Sequence, residues 1–420
     1  MKKTVKKQKI NSRKFHKRST TGVPLRKILI QSLTVLFISI IGESLTGTVL
    51  MGMREKLILI PGLLIIVPAL TDLRGNVGAA FGERLSTMLH LGILKPRFAF
   101  SKIVKHNIFA SFTLTASIAL IIGFIAPPLS SIFHIKSSDP LTLSSISVIA
   151  ATASSLILLP FVFVMVFYAF KHKIDPDNIV APILPVVGDI ITVSAIYFTA
   201  TFIITAKEML SKGLILFAAI IFLKGARFKS NRNTFPKRYH YFQVLKQSFP
   251  ILLICLSIGI GSGIFLQSAD KTFDLFPLLL SLVPQVIAQG GSIGGIVGSR
   301  VSTALYLGNA KPFAFGQEVM KNLSAGIIMG LITGPLIGIV SFLMGIFTKT
   351  PLFQFYKIIL ISALSLFILS LLMSIVAIFT AFLSFKVHLD PSNVVIPLIT
   401  SIGDITGVII LITIVKFVLL

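Results

Sequence analysis

The fold class this sequence predicts is all-α: a polytopic membrane protein of about eleven transmembrane helices, arranged as two five-helix repeats. Three observations carry it. The chain is 54% hydrophobic and only 13% charged, with a mean hydropathy of +0.94, which excludes disorder and an ordinary soluble domain. Its apolar residues fall in runs long enough to cross a hydrocarbon layer of about 30 Å as helices. The third observation is a duplication, in which the residues after Val67 return after Val283.

Residues 1–27 hold eleven Lys and Arg and no acid. They lack the short apolar core and small-residue cleavage site of a signal peptide. The segment therefore reads as a basic cytoplasmic tail that keeps the N-terminus inside. The first transport repeat, 28–207, follows with approximate spans 27–51, 57–91, 103–127, 141–170 and 179–206. Residues 208–247 form a linker made of a short apolar stretch, 213–223, and a basic segment, 224–247. The second repeat, 248–420, has approximate spans 248–267, 275–307, 322–347, 356–384 and 394–420.

Counting 213–223 as a span places 27 Lys and Arg in the inner loops and eight in the outer ones, the asymmetry expected of a multi-pass cell-membrane protein. Five spans alone would invert the second repeat. One more restores its orientation and relates the halves by a two-fold axis along the membrane normal. As an interfacial helix instead, 213–223 would leave the repeats inverted. The net charge of +25 sits in the tail and loops, where anionic lipid head groups account for it without nucleic acid. The single cysteine, Cys255, has no partner for an internal disulfide.

The duplication is clearest in the second span. Residues 67–96 align without gaps to 283–312, with thirteen identities in thirty, including Pro68/Pro284, Gly75/Gly291, Gly78/Gly294, Arg84/Arg300, Ser86/Ser302 and Thr87/Thr303. Shared Pro, Gly, Arg and Ser-Thr in register mark a true repeat. A second pair of copies runs DPDNIVAPILPVVGDI from Asp175 and DPSNVVIPLITSIGDI from Asp390. Each carries an aspartate, Asp189 or Asp404, eleven residues beyond Asn178 or Asn393. At about 1.5 Å per residue, that is roughly 16 Å deep, near mid-membrane. A carboxylate there costs about 2.5–3.5 kcal/mol on insertion scales, so it faces a partner, a wet cavity or an ion. Two related by duplication suggest a shared cation site.

Of fourteen acids, five lie inside spans: Glu43, Asp72, Glu83, Asp189 and Asp404. No His or Cys clusters with them, and an all-oxygen set suits Mg²⁺, Ca²⁺ or Mn²⁺ rather than zinc or copper. Asp72, Asn76, Ala79, Glu83 and Thr87 form one polar stripe at helical spacing. Its second copy, Ala288, Ser292, Gly295, Ser299 and Thr303, has no acid. Gly75, Gly78 and Gly82 flank the first stripe. They fit close helix packing, and the favoured reading is a locally irregular helix along a water-filled path facing Gly291 and Ser292. Arg74 beside Asp72, and Arg84 beside Glu83, offer ion pairing as the plainer reading of those acids. Snorkelling suffices for Arg84 and Arg300. Glu43, aligned approximately to the region of Ser262, is a further candidate ion or proton site.

The pattern Pro68, Gly75-Asn76, Arg84-Leu85-Ser86-Thr87 resembles the membrane domain of MgtE magnesium transporters, and more closely their duplicated relatives in solute carrier family 41. The two runs ending in Asp189 and Asp404 are similar to the last helix of that domain. The resemblance covers nearly the whole chain after residue 27. It implies Mg²⁺ transport without a cofactor, Mg²⁺ being the transported ion. It also implies Asp189 and Asp404 as a central metal site between the repeats, with Asn76 as the signature asparagine. Ser292 replaces that asparagine in the second repeat, and Glu83 stands where a small or neutral residue is expected. The large cytoplasmic sensing region of MgtE proteins has no room in a 27-residue tail.

A channel and an exchanger coupled to Na⁺ or H⁺ both need such an acidic pathway. The alternative class is a Mg²⁺-dependent membrane transferase of prenyl or phospho-alcohol type, which holds a diphosphate through clustered aspartates. Asp175-Pro-Asp177 could be half of such a motif, but its copy, Asp390-Pro-Ser392, lacks the second acid.

Overall fold

The computed structural model describes residues 24–90, 92–95, 101–172, 177–206, 240–350, 354–387 and 391–419. They form twelve helices: α1 Leu25–Gly52, α2 Arg54–Leu59, α3 Leu63–His90, α4 Lys102–Ile132, α5 Pro140–Lys171, α6 Asp177–Ala206, α7 Tyr241–Ser268, α8 Asp270–Leu275, α9 Leu278–Tyr306, α10 Gln317–Phe347, α11 Phe355–Lys386 and α12 Pro391–Leu419. All but α2 and α8 are long and apolar enough to span a membrane, making ten such helices among the described residues. The chain is a multi-pass, all-helical membrane protein. The expected linker helix 213–223 lies outside the described residues, as do most of the basic tail, Asp175 and Asp390.

Local chemistry explains several boundaries. The α5 helix opens on Asp139-Pro140. The Asp139 carboxylate accepts hydrogen bonds from the Thr142 backbone N–H at 2.9 Å and its hydroxyl at 2.8 Å, and Pro140 sits where no amide donor is needed. The expected 57–91 span divides at Pro61-Gly62, where Gly62 adopts φ +88°. The start of that span belongs to the short α2 helix. The α3 helix itself runs unbroken through Gly75, Gly78 and Gly82, so the expected irregularity lies at the helix entrance instead. Pro61 and a left-handed Gly62 end α2.

The repeats correspond helix for helix. Adding 216 to Leu25–Gly52 gives Tyr241–Ser268, so α1 matches α7. Each repeat gives its first helix to the other. The α1 helix packs on α9 and α10, and α7 packs on α3 and α4. Glycines permit both crossings: a Cβ on Gly47 would meet the Ser281 carbonyl oxygen at 2.5 Å, and one on Gly263 would strike that of Ile65. Small residues at such crossings let backbones approach where lipid offers no hydrophobic drive.

Both repeats point the same way. Arg54, just after α1, donates to the Asp274 carbonyl oxygen of α8 at 2.5 Å, so α2 and α8 share one face of the molecule. At the other face the rings of His106, near the start of α4, and His240, before α7, lie 6.4 Å apart. The α6 helix ends near α2, where Lys56 Nζ sits 4.8 Å from the Tyr197 ring centre. The ends flanking the undescribed linker thus lie on opposite faces, Ala206 with Arg54 and His240 with His106.

Candidate metal-ion site and path

The central residues come from three helices and both repeats. Asp72 on α3 is half-buried and accepts from Asn76 Nδ2, one turn on, at 3.0 Å. Its other oxygen accepts from the Ser401 hydroxyl of α12 at 3.4 Å. Ser401 lies one turn before Asp404, so Asp72 of the first repeat is held against the last helix of the second. Asp404 interacts electrostatically with both Asp72 and Asp189, and Asp189 with Asp72. Asp72 therefore stands with Asp189 and Asp404 as one connected acidic set, not with the outer stripe. Cys255 on α7 is within electrostatic reach of Asp72 and Asp404, and Ser262 of the same helix donates to the Asp404 carbonyl oxygen at 3.1 Å. Among the described residues, no three His, Cys, Asp or Glu side chains close into a metal-ligating group.

The sequence reading places none of Ser401, Cys255 and Ser262 at the ion site. A signal for Ser401 existed, because its counterpart in the first repeat is Val186.

The two stripes share one gradient of exposure. Asp72 and Asn76 are half-buried, Ala79 and Glu83 exposed, and Thr87 half-buried; Ala288, Ser292 and Gly295 are half-buried, and Ser299 and Thr303 exposed. At the opposite end, Leu63, Leu64, Ile65 and Ile66 of α3, and Leu278 and Leu280 of α9, are fully buried. The polar faces thus open toward the face that holds His106 and His240, and apolar packing closes the other. A Cβ at Gly75 or Gly295 would meet nothing within 4 Å. Gly78 faces its own repeat, 3.3 Å from Leu184, and Gly291 faces Thr400 of its own repeat at 3.7 Å.

Arg74 does not bond Asp72; its Nη1 donates to Ser155 of α5 at 2.8 Å, and its electrostatic partner is Asp189. Two residues apart, Asp72 and Arg74 leave the helix on different sides. Nor does Arg84 snorkel freely, since its Nε donates to Asn107 at 2.9 Å and its Nη2 to Ser111 at 3.1 Å. Arg300 donates to Asn322 at 2.9 Å in the second repeat. The shared Arg of the repeat ties its second helix to its third.

Glu43 is fully buried, neither of its carboxyl oxygens makes a hydrogen bond, and it interacts electrostatically with Asp189. The helix correspondence makes its counterpart Gly259, not Ser262. Glycine-rich apolar segments slide in alignment, and the neighbours decide the register: a Cβ on Gly259 would meet Ala69 Cα at 2.8 Å, so the second repeat has no room for this side chain.

Comparison with known proteins agrees with this architecture. The family model described as MgtE, divalent cation transporter, matches twice, over residues 67–200 and 283–414. Solute carrier family 41 member 3 of Mus musculus is 25% identical over 376 residues, covering 82% of this chain and 73% of its own length. Solute carrier family 41 member 2 is 24% identical in Mus musculus and 23% in Homo sapiens, each match covering 82% of this chain and 62% of that protein. No solved structure matches. The transferase alternative is not favoured, since the family model is a transporter's and the relatives are solute carriers. With both family matches falling on the two halves that share the central aspartates, this chain belongs to the MgtE family of divalent cation transporters, in its duplicated form.

Proposed function

We propose that this protein carries Mg²⁺ across the cell membrane along the polar faces of α3 and α9, with Asp72, Asp189 and Asp404 as its central site. The observation that supports this most is the Asp72–Ser401 hydrogen bond, because it joins an acid of one repeat to the helix bearing Asp404 in the other. Mg²⁺ dehydrates reluctantly and is held through few carboxylates plus its own waters. Three aspartates on separate helices, with no closed ligand cage among the described residues, suit such a hydrated ion. Asn76 orients Asp72 through its amide. Glu83, Thr87, Ser299 and Thr303 offer oxygens along the open end, and Gly75 and Gly295 leave room for the water shell.

With the N-terminus cytoplasmic, the open face is the cytoplasmic one, and the basic loops there meet anionic lipid head groups. A channel and an exchanger coupled to Na⁺ or H⁺ both fit this path, and Glu43, a buried acid within electrostatic reach of Asp189, is where a coupling ion would bind. The test is Mg²⁺ flux into proteoliposomes containing the purified protein, measured with and without Na⁺ and proton gradients. Flux that rises with an imposed gradient identifies an exchanger, and flux indifferent to both identifies a channel. No protein-dependent Mg²⁺ flux overturns the proposal.

A further inference from the structure

Arg74 is the arginine of α3 within electrostatic reach of Asp189. Its side chain is fully buried, and only Nη1 is satisfied, by Ser155 Oγ. Nε and Nη2 are buried and make no hydrogen bond. A guanidinium stays charged in a protein, and a buried charge lacking its partners is strongly destabilising. The nearby charge that offsets it is Asp189.

The second repeat shows that the fold itself has no use for this group. Arg74 corresponds to Gly290, as Gly75 does to Gly291. A Cβ on Gly290 would strike the Leu369 side chain, which fills the space. The same helix, in the same packing, is built in one copy around an apolar side chain and in the other around a cation. Ser155 in turn donates to the Ala151 carbonyl oxygen at 2.9 Å, so the anchor for Arg74 is itself fixed.

We propose that Arg74 is a tethered counter-ion that competes with the transported divalent ion for Asp189 and thereby sets the site's affinity. Resting on the Mg²⁺ reading above, it adds a specificity-determining residue that touches no ion. When the site is empty, the free Nε–H and Nη2–H groups offset the Asp189 charge. When a divalent ion enters, the same positive charge repels it, so the ion is held less tightly and released faster. A fixed unit charge near a divalent ion, even largely screened, changes affinity by about tenfold or more. Only the first repeat carries the device, so Asp189 and Asp404 are unequal despite their symmetry.

The test is Mg²⁺ binding by the purified full-length protein, read as the Mg²⁺ dependence of its thermal stabilisation, with Mg²⁺ flux measured beside it. R74Q and R74M should bind Mg²⁺ about tenfold more tightly and turn over more slowly at saturation, while R74K stays near wild type. In a D189N background the R74Q effect should largely vanish. Unchanged Mg²⁺ affinity in folded R74Q or R74M, or an equal shift with and without D189N, overturns the inference and leaves a structural arginine. Should neither variant fold, S155A decides. Freed from its anchor, Arg74 should move toward Asp189 and weaken Mg²⁺ binding several-fold; unchanged or tighter binding overturns the proposal. A wild type that binds no Mg²⁺ overturns the proposed function itself, and this inference with it.

Discussion

Asp72 and Ser401 are 329 residues apart and meet at 3.4 Å, hydroxyl to carboxylate, where the second helix of one repeat touches the last helix of the other. This contact brings the unduplicated acid of the second span to the duplicated pair of the last spans. The equivalent positions in the other copies are Ala288 and Val186, neither of which can make this hydrogen bond, so the ion site of a two-fold architecture is itself lopsided.

That placement changes the expected ranking of the acids. Asp72→Asn, Asp189→Asn and Asp404→Asn should each lower Mg²⁺ flux at least about tenfold, because an amide keeps shape and removes one charge from a connected set. Glu83→Gln, at an exposed position, should lower it less than about threefold. Flux assays on equal amounts of inserted protein check both, and an Asp72→Asn protein that transports normally would remove Asp72 from the site.

The two glycines of the stripe should separate path from packing. Gly75→Leu points into open space and should block flux with the thermal midpoint nearly unchanged. At Gly78 a leucine meets Leu184 and Leu158, so overpacking should cost about 1–3 kcal/mol and lower the midpoint. Thermal unfolding and flux on both variants check the contrast.

Cys255 is the chain's single cysteine and lies within electrostatic reach of Asp72 and Asp404. It is a native reporter for the site. A small thiol reagent should modify it more slowly as Mg²⁺ rises, and the protection should disappear in Asp404→Asn. Modification indifferent to Mg²⁺ would separate Cys255 from the ion.

Orientation has its own check. Cysteines placed at Lys56 and Lys271 in a Cys255→Ser background should label from one side of the membrane, and those at Lys102 and Lys321 from the other. Labelling of Lys56 and Lys271 from opposite sides contradicts the shared face defined by Arg54 and Asp274.

The cap of α5 titrates outside the membrane. Burial alone would raise the Asp139 carboxyl, but hydrogen bonds from the Thr142 amide and hydroxyl outweigh it and hold it below its usual range. Its contribution is therefore present above the unfolded value and lost as pH falls through the lowered one. Asp139→Ala should cost about 1 kcal/mol near neutral pH, and the difference from wild type should fade in acid. Denaturation at two pH values measures it.

Sequence alone determined ten of the spans and the duplication, and set Asp189 and Asp404 inside apolar helices. Hydrocarbon thickness sets helix length, and a carboxylate in an apolar helix is conspicuous whatever it touches. The resemblance carried by Pro68, Gly75-Asn76 and Arg84-Leu85-Ser86-Thr87 could be read before any coordinates. Only the tertiary structure decided which acids belong together. Helix period puts Asp72 on a stripe with Glu83, yet α12 contacts that stripe at Asp72, through Ser401, while Glu83 lies exposed. It also decided that Arg74 turns to Ser155 and Asp189, that Arg84 is clasped by Asn107, and that Glu43 corresponds to Gly259. The first two are settled by helix packing within one repeat, the third by the exchanged first helices and their glycine crossings. Such contacts join residues on separate helices and leave no periodic trace in either helix alone.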